Sequence, residues 1–367
     1  MWIVLMIIGL LLFVGLVVVH EFGHFLAARR NGVEVEEFGI GFPPSAWKRK
    51  TKKGFLFSIN WLPLGGFVKL KGENDSATAK GSFGAATFWV KTKIMLAGVV
   101  MNLLVALLLL TVVAWLGMPQ LVDNQFTVES DTSIAKNEVL VGYIEPDSPA
   151  SDAGLQTRDQ LLSITQNGHA EKITTAERLP ELTKQYAGQE VVVTYEREGQ
   201  ERAATVQLRD DQTAEGKAYL GLSPTEFTLQ QSTWSAPIVA LGLIKQFTIL
   251  TFEGIGTAIS AVFQGDGSRA AEQVSGPVGI VAVLKEGSLL GYQFVLLIIA
   301  IISLSLAIVN VLPVPALDGG RFYMLLLARL FKKKLSKDME ERIVGASFVF
   351  LLLLIVLITI VDVRRFF

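Results

Sequence analysis

The chain has 367 residues, 51% of them hydrophobic and 18% charged, which is too apolar for an ordinary soluble protein and too polar for one lying wholly in a membrane. It has no cysteine, which excludes disulfides, thiolate metal ligands and thiol nucleophiles, and only three histidines. The formal charge of −1 conceals an asymmetry: residues 29–93 carry 12 Lys and Arg against five acids, residues 119–291 carry 12 against 23, and nothing in the pattern points to nucleic acid.

Trp2 to Val19 contains no ionisable group. As a helix it would cover roughly 27 Å, close to a bilayer core, so it is the first predicted span. It ends in His20-Glu-Phe-Gly-His24. Two His four apart share one helix face and can bind one Zn²⁺, while the offset Glu21 is free to take a proton from a water. A lone match to this short motif is often only a solvated helix face. Within a span that reading fails, because the cost of burying ionisable groups must be offset by a function. A cleaved signal peptide is also excluded: there is no basic stretch at the start, and the motif would fall at the cleavage site. Arg29, Arg30 and the Lys48–Lys53 cluster then mark the cytoplasmic side, which puts the N-terminus outside.

Phe38-Gly-Ile-Gly-Phe-Pro-Pro44 and the run from Phe55 to Lys71 carry the aromatics, partial alternation and Gly pair of short strands joined by turns. They predict a β-hairpin element at the membrane interface, with an ordinary cytosolic hairpin as the alternative reading of the same residues. Ile94 to Leu116 is the second span, polar only at Asn102 and Thr111. From 119 to about 228 the pattern is that of a soluble α+β domain. It has strands at Glu138–Ile144 and Leu161–Thr165, a turn at Pro146–Ala150 leading into a short helix, a helix within Thr174–Tyr186, and a hairpin of Val191–Glu196 with Ala203–Leu208. This order resembles a PDZ domain, with Arg158-Asp159 where the family has Gly-Asp.

Ser235 to Phe263 is apolar but interrupted by Lys245, Gln246, Glu253 and several glycines. Were it to cross, Arg329 and Lys332–Lys334 would emerge outside, against the charge rule, so it is predicted as an amphipathic helix or pair at the outer surface. Gly265 to Gly276 reads as a polar linker. Tyr292 to about Pro313 is the third span and Ile343 to Val361 the fourth. Domains follow at 1–118 (membrane part with the first two spans), 119–228, 229–275 (surface helices and linker) and 276–367 (membrane part with the last two spans).

A catalytic zinc needs a third protein ligand. His169 belongs to the soluble domain, and Glu253 and Asp362 lie at the outer side, which leaves Asp318 in Asn310-Val-Leu-Pro-Val-Pro-Ala-Leu-Asp-Gly-Gly320. Prolines end the helix there and glycines permit a tight backbone. His20 and Asn310 each lie 18 positions from the start of their span, so both motifs reach one depth, near the cytoplasmic face.

With HEFGH, FGIGFPP, GGFVKL, AGVVMN, SGPVGI and NVLPVPALDGG in this order, the chain resembles the site-2 proteases, intramembrane zinc metalloproteases, of the bacterial type that regulates sigma-E. The resemblance covers nearly the whole chain. It implies a four-span α-helical protein of the bacterial inner membrane, with both termini and the single PDZ domain outside. His20, His24 and Asp318 match the family's Zn²⁺ ligands, Glu21 its general base, and Asn310, Asn102 and the Gly65–Gly66 pair its substrate-binding positions. The implied substrates are single-pass membrane proteins, anti-sigma factors or signal-peptide remnants, trimmed first by an upstream site-1-type protease. Lipid surrounds the spans, and the PDZ domain contacts a peptide or an ectodomain. A membrane-anchored PDZ adaptor with a non-catalytic zinc site would have no use for Glu21. A zinc transporter would expect more ligands than three His allow.

Overall fold

The computed structural model describes all residues except 74–76, 123, 198, 215, 333–335 and 367, with the backbone alone at 63 and 64. Asp75, Asp123, Glu198 and Glu215, counted among the charges above, and Lys333 and Lys334 of the Lys332–Lys334 cluster lie outside the described residues. The chain forms two units, one of Met1–Leu116, Phe126–Val128 and Trp234–Phe367, the other of Gly117–Gln125 and Glu129–Thr233.

The first unit opens with α1 (Trp2–Arg30), an unbroken helix of 29 residues. Nothing from Val19 onward breaks it: HEFGH continues the helix rather than ending it. Arg29 and Arg30 complement the dipole of the last turn, and Asn31 closes the helix by donating from Nδ2 to the Ala27 carbonyl at 2.8 Å. β1 (Val35–Lys50) and β2 (Leu56–Leu70) make a two-stranded sheet, longer and more bent than the predicted hairpin. Residues 37–40 pair on two sides at once, Phe38 with Val68 and also with Phe57, because both long strands double back near their middles. α2 (Phe88–Leu116) starts six residues before the predicted span. Ala28, Val33, Leu70, Phe83, Ile94 and Met95 form a buried cluster that ties the end of α1 to β2 and to the start of α2.

In chain order, the second unit contains β3 (Met118–Pro119), β4 (Ser133–Ile144), α3 (Pro149–Asp152), β5 (Gln160–Gln166), β6 (His169–Lys172), α4 (Arg178–Gln185), β7 (Glu190–Arg197), β8 (Gln200–Gln207), α5 (Asp211–Ala214) and β9 (Leu222–Gln231). The sheet runs β3-β9-β4-β5-β7-β8, with β6 on β5 and every pairing antiparallel. The expected strands, helix and hairpin are present; β9, which pairs with β4 along its whole length, is the main element missed. Its sequence, LSPTEFTLQQ, has too few apolar residues to alternate visibly. The turn at Arg158-Asp159 forms in spite of the missing glycine. Arg158 adopts φ +74°, Asp159 accepts the Gln156 N–H at 2.8 Å, and the Arg197 guanidinium grips Asp159 through both carboxylate oxygens. Nearby, hydrogen bonds from Arg209 and Lys217 hold the Glu145 carboxyl below its ordinary range.

The chain then returns to the first unit with α6 (Ala236–Phe263), α7 (Gly267–Glu272), α8 (Pro277–Leu290), α9 (Tyr292–Val311), α10 (Asp318–Leu330) and α11 (Lys337–Phe366). Of the expected helix or pair, 236–263 forms a single continuous helix; its glycines weaken but do not break it, and Val239, Ala240, Leu243 and Phe247 are buried. α7 occupies part of the expected linker, and α8 and α10 are further helices that no expectation covered. Among the described residues, five helices are long and apolar enough to cross a membrane: α1, α2, α6, α9 and α11. Asp362 of α11 accepts the N–H groups of Gly276 and Gly279 at 2.9 and 2.8 Å, which joins α11 to the start of α8. α1 and α9 run in the same sense. Gly9 lies against Val295, Leu16 packs with Ile299, and further along both helices lead to the same site.

Candidate metal centre

His20 and His24 lie one turn apart on α1, both 9% exposed, with ring centroids 4.9 Å apart. They fit there because α1 and α2 meet at two glycines. A Cβ on Gly23 would stand 2.6 Å from the Ala97 carbonyl oxygen; one on Gly98 would stand 2.5 Å from His24 Nε2 and 2.7 Å from His20 Nε2. Gly98 thus opens the space that the two imidazoles fill.

The third donor comes from the other end of the chain. α9 stops at Val311, since Pro313 and Pro315 cannot donate to a helix ladder. The chain turns through Val314 N–H to Leu312 O and Leu317 N–H to Val314 O, each 2.8 Å, and Asp318 begins α10. Gly319 and Gly320 press against the carbonyls of Val311 and Val314 so closely that a side chain would overlap them. Only this tight return brings the Asp318 carboxylate back beside α1.

Asp318 Oδ2 lies 3.1 Å from His20 Nε2 and 3.2 Å from His24 Nε2, and the two Nε2 atoms lie 3.2 Å from each other. A tetrahedral ion with bonds of about 2.0–2.1 Å sets neighbouring donors roughly 3.3 Å apart, so two imidazoles and a carboxylate in this triangle suit Zn²⁺. Among the described residues this is the one cluster of three His, Asp or Glu side chains able to hold a metal. The ring of His24 is turned correctly for it: Nδ1 donates to the Ile94 carbonyl at 2.7 Å, which leaves the Nε2 lone pair for the ion.

Glu21 faces a cavity of about 210 Å³ lined also by His24, Phe67, Val68, Asp318 and Arg321. The Val68 N–H hydrogen-bonds its carboxylate, and Gly66 lies against its stem, where a Cβ would stand 3.2 Å from Glu21 Cγ. β2 therefore forms one wall of the cavity. Two further charged residues lining the cavity were not singled out from the sequence: Glu73, just after β2, whose Oε1 accepts the Leu70 N–H at 2.8 Å, and Arg321 of α10, one turn beyond Asp318. The i+3 spacing of Asp318 and Arg321 was the available signal.

The structure thus brings His20, Glu21, His24, Asp318, Asn102 and Gly66 together. Gly65, at φ +100°, adjoins the Phe42 ring instead, and Asn310 sits half-buried on the last turn of α9 with its carbonyl against Gly319. Asn102 is not placed as a substrate-binding residue should be. It is 1% exposed, and its amide lies 3.2 Å from His20 Nδ1 on the side away from the other donors.

The model of Peptidase family M50 matches residues 8–354. A "putative zinc metalloprotease" of Fusobacterium nucleatum is 30% identical over 366 residues, covering 100% of this chain and 98% of its own length. One of the same description from Clostridium perfringens is 29% identical over 97% of this chain and 98% of its own. The zinc metalloprotease RasP of Geobacillus kaustophilus is 26% identical over 98% and 97%.

Proposed function

Since the chain belongs to peptidase family M50, we propose that His20, His24 and Asp318 hold a catalytic Zn²⁺ and that Glu21 is the general base. The protein is an intramembrane zinc metalloprotease, and its substrates are the spans of single-pass membrane proteins. The observation that carries this is the convergence of three donors from α1 and α10 beside a cavity into which Glu21 projects. When bound, zinc acidifies the attacking water and stabilises charge on the peptide carbonyl oxygen. Glu21 takes the proton from that water and delivers it to the leaving amine. The Val68 N–H orients the Glu21 carboxylate for both transfers.

A helical substrate hides its amides and must unwind before it can be cut. The β2 edge at 66–70 receives the unwound strand by main-chain pairing, since residues 66–69 are paired with 37–40 and Phe67, Val68 and Leu70 line the cavity. Gly66 keeps that edge close to Glu21, and Asn310 holds the strand's backbone near the cut.

Four spans, α1, α2, α9 and α11, fit the site best. α1 and α9 reach it in the same sense, so an even number of crossings must separate α2 from α9. α8, at 14 residues, covers roughly 21 Å, too little to return a crossing made by α6. α6 then lies along the outer side, and both termini and the 119–228 domain are outside the bacterial inner membrane. That domain, read as PDZ, regulates access to the site and contacts a peptide or ectodomain; an upstream site-1-type protease supplies the trimmed substrate.

The test is to incubate the purified chain with a single-pass substrate, with and without chelator. Cleavage that stops on chelation and returns with zinc supports the reading. Binding without cleavage in both arms would favour the adaptor.

A further inference from the structure

The two imidazoles are turned by different kinds of acceptor. An imidazole that gives Nε2 to a metal carries its proton on Nδ1, and that N–H needs an acceptor in a buried site. His24 finds the Ile94 carbonyl. Among the described residues, His20 Nδ1 meets the side-chain amide of Asn102, eight residues further along α2, at 3.2 Å from the atom placed as Nδ2, while Asn102 Oδ1 is buried without a hydrogen-bond partner. With the NH₂ group toward His20, the imidazole proton would be forced onto Nε2, into the triangle where three donors meet. The two ends of a carboxamide have nearly the same shape, so their assignment follows from the partner's protons. Rotated by half a turn, the amide meets the Nδ1–H with its oxygen.

We propose that Asn102 is a positioning residue for the metal: its amide oxygen accepts the Nδ1–H of His20 and thereby presents the Nε2 lone pair to the ion. Asn102 is anchored for this. Ser303 of α9 donates to its backbone carbonyl at 2.8 Å, and Gly98, one turn earlier, lets α2 close onto both rings. α2 so brackets the imidazoles with one main-chain and one side-chain acceptor, on either side of the glycine that admits them. At 1% exposure the amide has no surface to offer a substrate.

The inference rests on the metal reading, and its test separates the two. The full chain, purified in detergent and loaded with zinc, is titrated with a competing chelator as wild type, His24→Ala, Asn102→Leu and Asn102→Asp. Zinc affinity should fall about 10–100-fold in Asn102→Leu and stay within a few-fold in Asn102→Asp, which keeps an acceptor. With Co²⁺ in place of zinc, the visible absorption should change in the Leu variant and be restored in the Asp variant. Loss of zinc in His24→Ala with undiminished affinity and an unchanged cobalt spectrum in Asn102→Leu overturns the role of Asn102 alone. Equal zinc uptake by wild type and His24→Ala overturns the metal reading and this inference with it. If Asn102→Leu does not fold, ¹⁵N spectra of the wild-type zinc form decide, since three histidines give only three ring systems: a proton on His20 Nδ1 supports the inference, and a bare Nδ1 overturns it.

Discussion

Glu21 sits one residue from a proposed ligand yet lines the cavity, next to the Val68 N–H. The proposed base and the proposed ligands are therefore separable. Glu21→Gln keeps the shape of the side chain but cannot take a proton, so it should retain zinc while cleavage falls by about 10²–10⁴-fold, toward the upper end because one group performs both transfers. Cleavage of a single-pass substrate at the wild-type rate would remove Glu21 from the chemistry. His24→Ala and Asp318→Ala should do the reverse and lose the metal itself; elemental analysis of the purified proteins reads this, and full zinc in Asp318→Ala would strike Asp318 from the ligand set. The sequence singled out His20, Glu21, His24 and Asp318, because a buried HExxH calls for one further carboxylate and one lay at the matching depth, and the structure brings these four side chains together. Asn102 was legible as a polar residue in an apolar span but not as a neighbour of His20. A motif gives a position, and which helix faces that position depends on how α1 and α2 rotate against each other.

α2 is held to α1 at Gly98, and the energetics of a substitution there run in opposite directions. Alanine in place of a mid-helix glycine favours the isolated helix by about 1 kcal/mol. The same methyl would stand 2.5 Å from His24 Nε2, well inside contact distance. Gly98→Ala is therefore expected to leave thermal stability near or above wild type while zinc occupancy drops sharply; a variant with full zinc would show that the rings have room the packing denies. The sequence made each long apolar helix visible but not its ends: α1 runs eleven residues past the last wholly apolar position, since HEFGH and Arg29-Arg30 are as helical as what precedes them. β9 and the doubling back of β1 and β2 were hidden for another reason. Both depend on pairing between segments distant in sequence, and neither leaves a strong alternation of its own.

Among the described residues five helices are long enough to span and four are proposed to do so, a difference that labelling can resolve. The chain lacks cysteine, so single cysteines report cleanly. Placed at Lys50 and Lys337 they should react only from the cytoplasmic side, and at Gly199 only from outside; labelling of the 337 position from outside would mean that α6 crosses. The unit at 117–125 and 129–233 contributes none of the three donors, so its deletion should spare hydrolysis and admit substrates with longer ectodomains. Loss of activity in a well-folded deletion would give that unit a part in building the site. The donors themselves come from distant stretches of the polypeptide, two from α1 and one from α10. A ribosome feeding this protein into the membrane must therefore make everything between α1 and α10 before the third donor exists. Until then the nascent chain passes its neighbours at the insertion site as an inert set of helices, and it gains the power to cut only once α10 has been added.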